Sequence, residues 1–171
     1  MLVIVSIVLT SAYYELTEAN EICAEGEVKV FFCPEDACAD AVISLIDSAN
    51  ESVHVAVYSF TLDSIADALI RAKQRGVDVK VVLESQQVSQ YSVYEKLKDA
   101  GIDVLLDSNP AYMHDKIAVI DGRIVITGSY NWTKRATNQN NENLVVIYSK
   151  KLSEEFEAEL EKIYSSAKAL A

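Results

Sequence analysis

Two histidines occur in 171 residues, and one of them, His114, stands two places before Lys116 at the entry to an apolar run. Imidazole is a nucleophile and proton carrier at neutral pH, and an ammonium stabilises developing negative charge. The residues that follow add further donors. Residues 116–120 and 123–127 are β-branched apolar runs separated by Asp121-Gly122, the pattern of a two-residue hairpin. Pairing Ile120 with Arg123 predicts Lys116 opposite Thr127 and His114 opposite Ser129. Side chains alternate along a strand, so His114, Lys116, Thr127 and Ser129 are expected on one face, with Asn131 just beyond. An imidazole, an ammonium, a hydroxyl and an amide at one spot suit an oxyanion or a phosphate.

Cleaving a phosphodiester needs a nucleophile, a proton for the departing alkoxide, and donors on the nonbridging oxygens. His114 is the natural nucleophile. Lys116 and Asn131 are expected to hold the phosphoryl oxygens, with Ser129 as an added donor. No carboxylate cluster with metal-site spacing lies near the hairpin, which agrees with a site that needs no metal or other cofactor. A nucleophilic histidine is usually held in one tautomer by a carboxylate on its other nitrogen, and strand alternation points the neighbouring Asp115 away. Asp121 lies seven residues from His114, roughly 20 Å along an extended chain. It is expected to shape the turn or to pair structurally.

The series His114-x-Lys116-x4-Asp121-x6-Gly128-Ser129-x-Asn131 resembles the HKD motif of the phospholipase D superfamily. Asn141-Glu142-Asn143 leading into residues 144–148, the stretch from Ala56 through Tyr58 to Thr61, and Gly76-Val-Asp78-Val-Lys80 resemble core elements of its short, single-motif endonucleases. The resemblance runs from about Val28 to Tyr164. It implies a phosphodiesterase that works without a metal through a covalent phosphohistidine. It counts Asp121 within the motif, and it suggests Glu142 as the carboxylate that orients His114. Larger family members carry two copies of the motif, and this chain has one. One histidine cannot attack and also protonate the opposite side of the phosphorus in the same step. His54, in an apolar strand, is expected to be a satisfied core residue. A two-fold homodimer bringing His114 of each chain to a shared site is therefore expected.

The chain is long enough for one globular domain with a substantial core, and half of its residues are hydrophobic. Its formal net charge of −11 argues against broad electrostatic capture of nucleic acid or anionic membrane. Positive charge nevertheless gathers at the motif in Lys116, Arg123, Lys134 and Arg135, and the last two are expected to bind substrate. The expected substrate is DNA. A lipid phosphodiesterase acting on phosphatidylcholine or cardiolipin is the alternative, and a catalytically silent binding module the second. Tyr130 and Trp132 could stack bases, but an isolated pair of this spacing more often packs the core.

Residues 1–26 form a separate segment. The apolar run 2–9 is interrupted only by Ser6 and is too short for a bilayer, which takes roughly 20 residues. With the small residues Thr10-Ser11-Ala12 after it, the run reads as an export signal or a membrane anchor, although no basic residues precede it. A core strand is the alternative. An exported or membrane-anchored protein is expected, with membrane association through the N-terminus. Cys33 and Cys38 flank Pro34-Glu-Asp at a spacing a disulfide can close in an oxidising compartment, leaving Cys23 over. Three separate thiols are the alternative.

Residues 27–171 are expected to form one catalytic domain. Strands are expected at 28–32, 53–60, 77–83, 102–106, the two hairpin arms, and 144–148. Helices are expected at 37–49, from the cap candidates Thr61 and Asp63 to about 75, at 94–100 and at 151–168, with a helical turn within 133–140. Strands alternating with helices and then a hairpin imply an α/β fold: a mixed sheet sandwiched by helices.

Overall fold

The computed structural model describes residues 26–169. The apolar run 2–9, the small residues after it and Cys23 lie outside the described residues. Among the described residues, no helix is long and apolar enough to cross a membrane.

Seven strands form one mixed sheet: β1 (Val28–Cys33), β2 (Ser52–Val57), β3 (Asp78–Leu83), β4 (Asp103–Leu106), β5 (Lys116–Ile120), β6 (Ile124–Gly128) and β7 (Glu142–Tyr148). Their spatial order is β1-β7-β6-β5-β2-β3-β4. The β2–β3 and β3–β4 pairs are parallel, and the pairs from β1 to β2 are antiparallel. The helices are α1 (Cys38–Ser48), α2 (Asp63–Gln74), α3 (Tyr94–Asp99), α4 (Lys134–Asn138) and α5 (Lys150–Lys168).

The central strands are covered by helices on both faces, which is why they read as largely apolar runs, whereas the edge strand β1 leaves Val28, Val30 and Phe32 exposed. Val53, Val55 and Val57 of β2 pack with Ile46, Leu69 and Leu97 from α1, α2 and α3. On the other face Ala56, Ile117, Val119 and Val125 meet Leu160 of α5. Burying one such aliphatic side chain contributes roughly 1.5–3 kcal/mol, so both helical layers are held by several contacts of that size. A polar clamp adds to the second layer. His54 Nδ1 lies 2.8 Å from Glu157 of α5, and its Nε2 lies 3.3 Å from Asp78 of β3. His54 is thus a structural residue at the base of the sheet.

Two sequence expectations need correction. Ala118 pairs with Ile126, Val119 with Val125 and Ile120 with Ile124, so the hairpin register is shifted by one residue. The turn takes three residues, with Asp121 (φ 52°) and Gly122 (φ 58°) both left-handed and Arg123 N–H closing on the Ile120 carbonyl at 3.1 Å. A one-residue shift exchanges faces, so Thr127 leaves the face that carries Lys116. Neither Thr61 nor Asp63 caps α2, because Leu62 occupies the cap position without a side-chain bond. Asp63 instead accepts from Lys96 Nζ at 2.8 Å. The structure also joins Cys33, the last residue of β1, to Cys38, the first of α1, with Cα atoms 6.1 Å apart.

Candidate active site

The motif residues other than Asp121 collect at the C-terminal edge of the parallel strands, the usual place for a site in an open α/β sheet. β5 runs antiparallel to β2, so its beginning falls at that edge. Tyr58 N–H donates to the Asp115 carbonyl at 2.8 Å, which fixes the strand entry beside the end of β2.

His114 is exposed and Lys116 is 7% exposed. The lysine Nζ lies 3.2 Å from His114 Nδ1 and donates to the His114 carbonyl at 2.5 Å. Burial pushes the Lys116 pKa below its ordinary value, although Asp115 and Glu142 act in the opposite sense. A buried ammonium faced by few donors or acceptors is a strong partner for an incoming phosphoryl group.

Asn131 arrives from the other side. Its neighbour Trp132 donates its N–H to the Ser59 carbonyl at 3.1 Å, laying that segment alongside the chain after β2. Asn131 Oδ1 accepts from Ser59 N–H at 3.2 Å, which leaves the two Nδ2 hydrogens as donors for a phosphoryl oxygen. Tyr130 and Trp132 are both 1% exposed. Tyr130 bonds Thr137 at 2.6 Å, and Trp132 packs edge-on against Phe60 with centroids 5.0 Å apart. They belong to the core.

Ser129 and Glu142 form a second group. Gly128 has φ 136°, and a Cβ there would lie 2.3 Å from the Asn143 carbonyl oxygen, so this turn of the chain requires glycine. Ser129 and Tyr130 N–H groups then share that carbonyl at 3.1 and 3.2 Å. The Ser129 hydroxyl donates to Glu142 Oε2 at 2.5 Å and accepts from Asn143 N–H at 3.1 Å. Asn140 Nδ2 donates to the other Glu142 oxygen at 2.9 Å. Two expectations change here. The Ser129 hydroxyl hydrogen is committed to Glu142 and is not a free donor. Glu142 makes no hydrogen bond to the His114 ring of its own chain, its two carboxylate oxygens being taken by Ser129 and Asn140.

Asp121 is remote, at the far end of the hairpin. Its carboxylate accepts from the backbone N–H of Asn50, Glu51 and Ser52 at 2.8–3.1 Å. Burial works against its charge, but these three bonds hold its pKa below the usual carboxylate range. It ties the hairpin turn to the loop between α1 and β2. Lys134 and Arg135 are exposed on the first turn of α4, just after Asn131, and neither meets a carboxylate within 4 Å among the described residues.

Two site residues escaped the sequence reading. The Tyr58 ring lies 4.4 Å from the His114 ring and 5.0 Å from Lys116 Nζ. Glu84 is fully buried and accepts from Met113 N–H at 2.7 Å and Gln86 N–H at 2.9 Å, anchoring the backbone one residue before His114. A charged residue ending the apolar run of β3, at the sheet edge where sites collect, was the available signal.

Residues 42–164 match the family model described as "Cardiolipin synthase, PLD-like domain". A phospholipase D of Rickettsia prowazekii is 34% identical over 145 residues, covering 84% of this chain and 69% of that protein. A mitochondrial cardiolipin hydrolase of Chlamydomonas reinhardtii is 35% identical over 127 residues, 74% of this chain and 57% of that protein. Nuc from Salmonella typhimurium, a phospholipase D family member, superposes with TM-score 0.79 at 38% identity, covering 83% of this chain and 96% of Nuc. NucT from Helicobacter pylori superposes with TM-score 0.77 at 29% identity, covering 83% and 98%. Fold, sequence and the kinds of enzyme it resembles agree: the chain belongs to the phospholipase D superfamily and is a hydrolase of phosphodiester bonds.

Proposed function

We propose that this phosphodiesterase is an endonuclease that cleaves DNA without a metal, through a phosphohistidine on His114, at a site shared by two chains of a homodimer. The observation that carries this reading is the exposed His114 imidazole with the buried Lys116 ammonium 3.2 Å away. A ring nitrogen of His114 attacks phosphorus, forming the N–P bond as the bond to the leaving oxygen breaks. Lys116 and Asn131 Nδ2 bind the nonbridging oxygens. The departing alkoxide takes a proton from the second His114, which then accepts a proton from the water that hydrolyses the phosphohistidine.

The homodimer supplies what one chain lacks. His54 is committed to Glu157 and Asp78, so the second histidine must come from another copy. No carboxylate of the same chain bonds the His114 ring among the described residues, which leaves room for an orienting group from the partner. The nuclease reading is supported by identity across nearly the whole of Nuc and by the exposed Lys134 and Arg135. A lipid substrate is the alternative, supported by the poor fit of a net charge of −11 with DNA and by the resemblance to a cardiolipin hydrolase. The apolar run 2–9 is proposed as an export signal or anchor, and the Cys33–Cys38 bridge fits an oxidising compartment.

Turnover of plasmid DNA, single-stranded DNA, phosphatidylcholine and cardiolipin in EDTA separates these readings. DNA cleavage that survives EDTA and disappears in His114→Ala, with an acid-labile phosphoenzyme trapped by rapid quenching, is the expected result. Activity restored only by added Mg²⁺ or Zn²⁺, or label recovered on a serine, would overturn the mechanism.

A further inference from the structure

We propose that Tyr112, backed by Tyr58, is a stacking ledge for an unpaired nucleobase next to the scissile phosphate. This inference rests on the nuclease reading and narrows it to single-stranded substrate. Tyr112 is 54% exposed in the single chain. Its ring meets Tyr58 edge-on with centroids 6.0 Å apart, and Tyr58 in turn lies against His114. Tyr112 is therefore one ring removed from the nucleophile, as a base is one sugar removed from its phosphate.

The ledge is built in advance. Glu84 holds Met113 N–H from within the core. Gln86 Nε2 donates to the Ala111 carbonyl at 3.1 Å, and Asn109 Nδ2 to the Tyr112 carbonyl at 3.2 Å. Gln87 Nε2 donates to the Tyr58 hydroxyl at 3.0 Å, fixing the second ring. Two loops, after β3 and after β4, are thus tied together behind the two tyrosines. A residue held this firmly while exposing an aromatic face has little conformational entropy left to lose on binding.

Electrostatics selects the ligand. The groove beside Tyr112 is bordered by Asp107, Asp115 and Glu159, with Lys162 as its one cation. These carboxylates, with Glu159 paired to Lys162 at 2.8 Å, disfavour any phosphate at this spot, whether of a nucleic acid or of a lipid headgroup, and leave the exposed ring to an uncharged group. An uncharged base with amino donors on its edge is compatible with them. Stacking needs no positive charge, so it adds affinity beyond the few phosphate contacts that Lys116, Lys134 and Arg135 supply in a chain of net charge −11. A base can stack on a side chain only where it is not stacked in a duplex.

The test uses short single-stranded DNA oligonucleotides, with abasic sites scanned along them, and compares wild type with Tyr112→Ala and Tyr112→Trp. Tyr112→Ala should raise KM by about 5- to 100-fold, the usual range for one stacked base, and Tyr112→Trp should restore it. One abasic position should raise the wild-type KM as much and have little further effect in Tyr112→Ala. An unchanged KM in Tyr112→Ala, or full additivity with every abasic site, would overturn the ledge while leaving the nuclease reading intact. Wild type that hydrolyses cardiolipin vesicles but no oligonucleotide would overturn both.

Discussion

Lys116 Nζ contacts both the ring of His114, at 3.2 Å from Nδ1, and its backbone, at 2.5 Å from the carbonyl oxygen. The lysine therefore positions the nucleophile as well as supplying charge. Its ammonium is nearly removed from water, and this has consequences for activity and stability that pull in opposite directions.

Burial lowers the Lys116 pKa, so the ammonium is lost on alkalinisation earlier than an exposed lysine near 10.4 would lose it. The alkaline limb of a kcat/KM profile should fall below that value. The unfolded chain binds this proton more tightly, so the cost to the native state is fully present below the native pKa and is relieved as pH rises. Lys116→Met should abolish turnover by roughly 10²–10³-fold or more with Tm unchanged or higher. A large fall in Tm on calorimetry would contradict this account.

Asp121 should behave in the opposite way. Asp121→Asn removes one acceptor and turns an amide toward backbone N–H groups, costing about 1–3 kcal/mol. Turnover per folded molecule should change by no more than a few-fold. The Asp121 pKa is depressed in the native state, so its contribution is present above the unfolded value near 3.9 and is lost as pH falls through the lower native value. Denaturant unfolding of both proteins across that window should show the gap closing in acid. A chemical loss equal to that of Lys116→Met, in folded protein, would place Asp121 in the mechanism after all.

The Cys33–Cys38 bridge closes a short loop between β1 and α1, and loop-closure entropy assigns it about 2 kcal/mol. Peptide mapping without reduction should find these two linked and Cys23 free, and reduction should lower Tm. Cys23 found in the linkage would defeat the pairing.

Subunit exchange tests the shared site. Mixing wild type with an excess of His114→Ala should suppress activity beyond dilution, because mixed dimers carry one histidine where two are required. Full specific activity in a species shown to be a monomer by ultracentrifugation under assay conditions would remove the dimer from the mechanism.

Much of this protein is local and was readable as sequence. The runs 53–57, 79–83 and 116–120, apolar apart from His54, Lys80 and Lys116, announce central strands because burial on both faces leaves little room for polar alternation. His114 and Lys116 announce chemistry because their spacing alone brings two such groups together at a strand entry. The pairing of Cys33 with Cys38 is likewise short-range. Other features depend on which residues meet across the fold. The hairpin register turned on one residue of loop, since Asp121, Gly122 and Arg123 together make the turn. The resemblance suggests Glu142 as the carboxylate on His114, whereas in the fold Glu142 accepts from Ser129. Tyr58 and Glu84 lie 56 and 30 positions before His114 in a chain that reads them as ordinary strand ends. Only the parallel pairing of β2 with β3, and the antiparallel return of β5, bring both to one sheet edge. Short-range spacing specifies which groups are available, whereas strand order determines which of them share an active site.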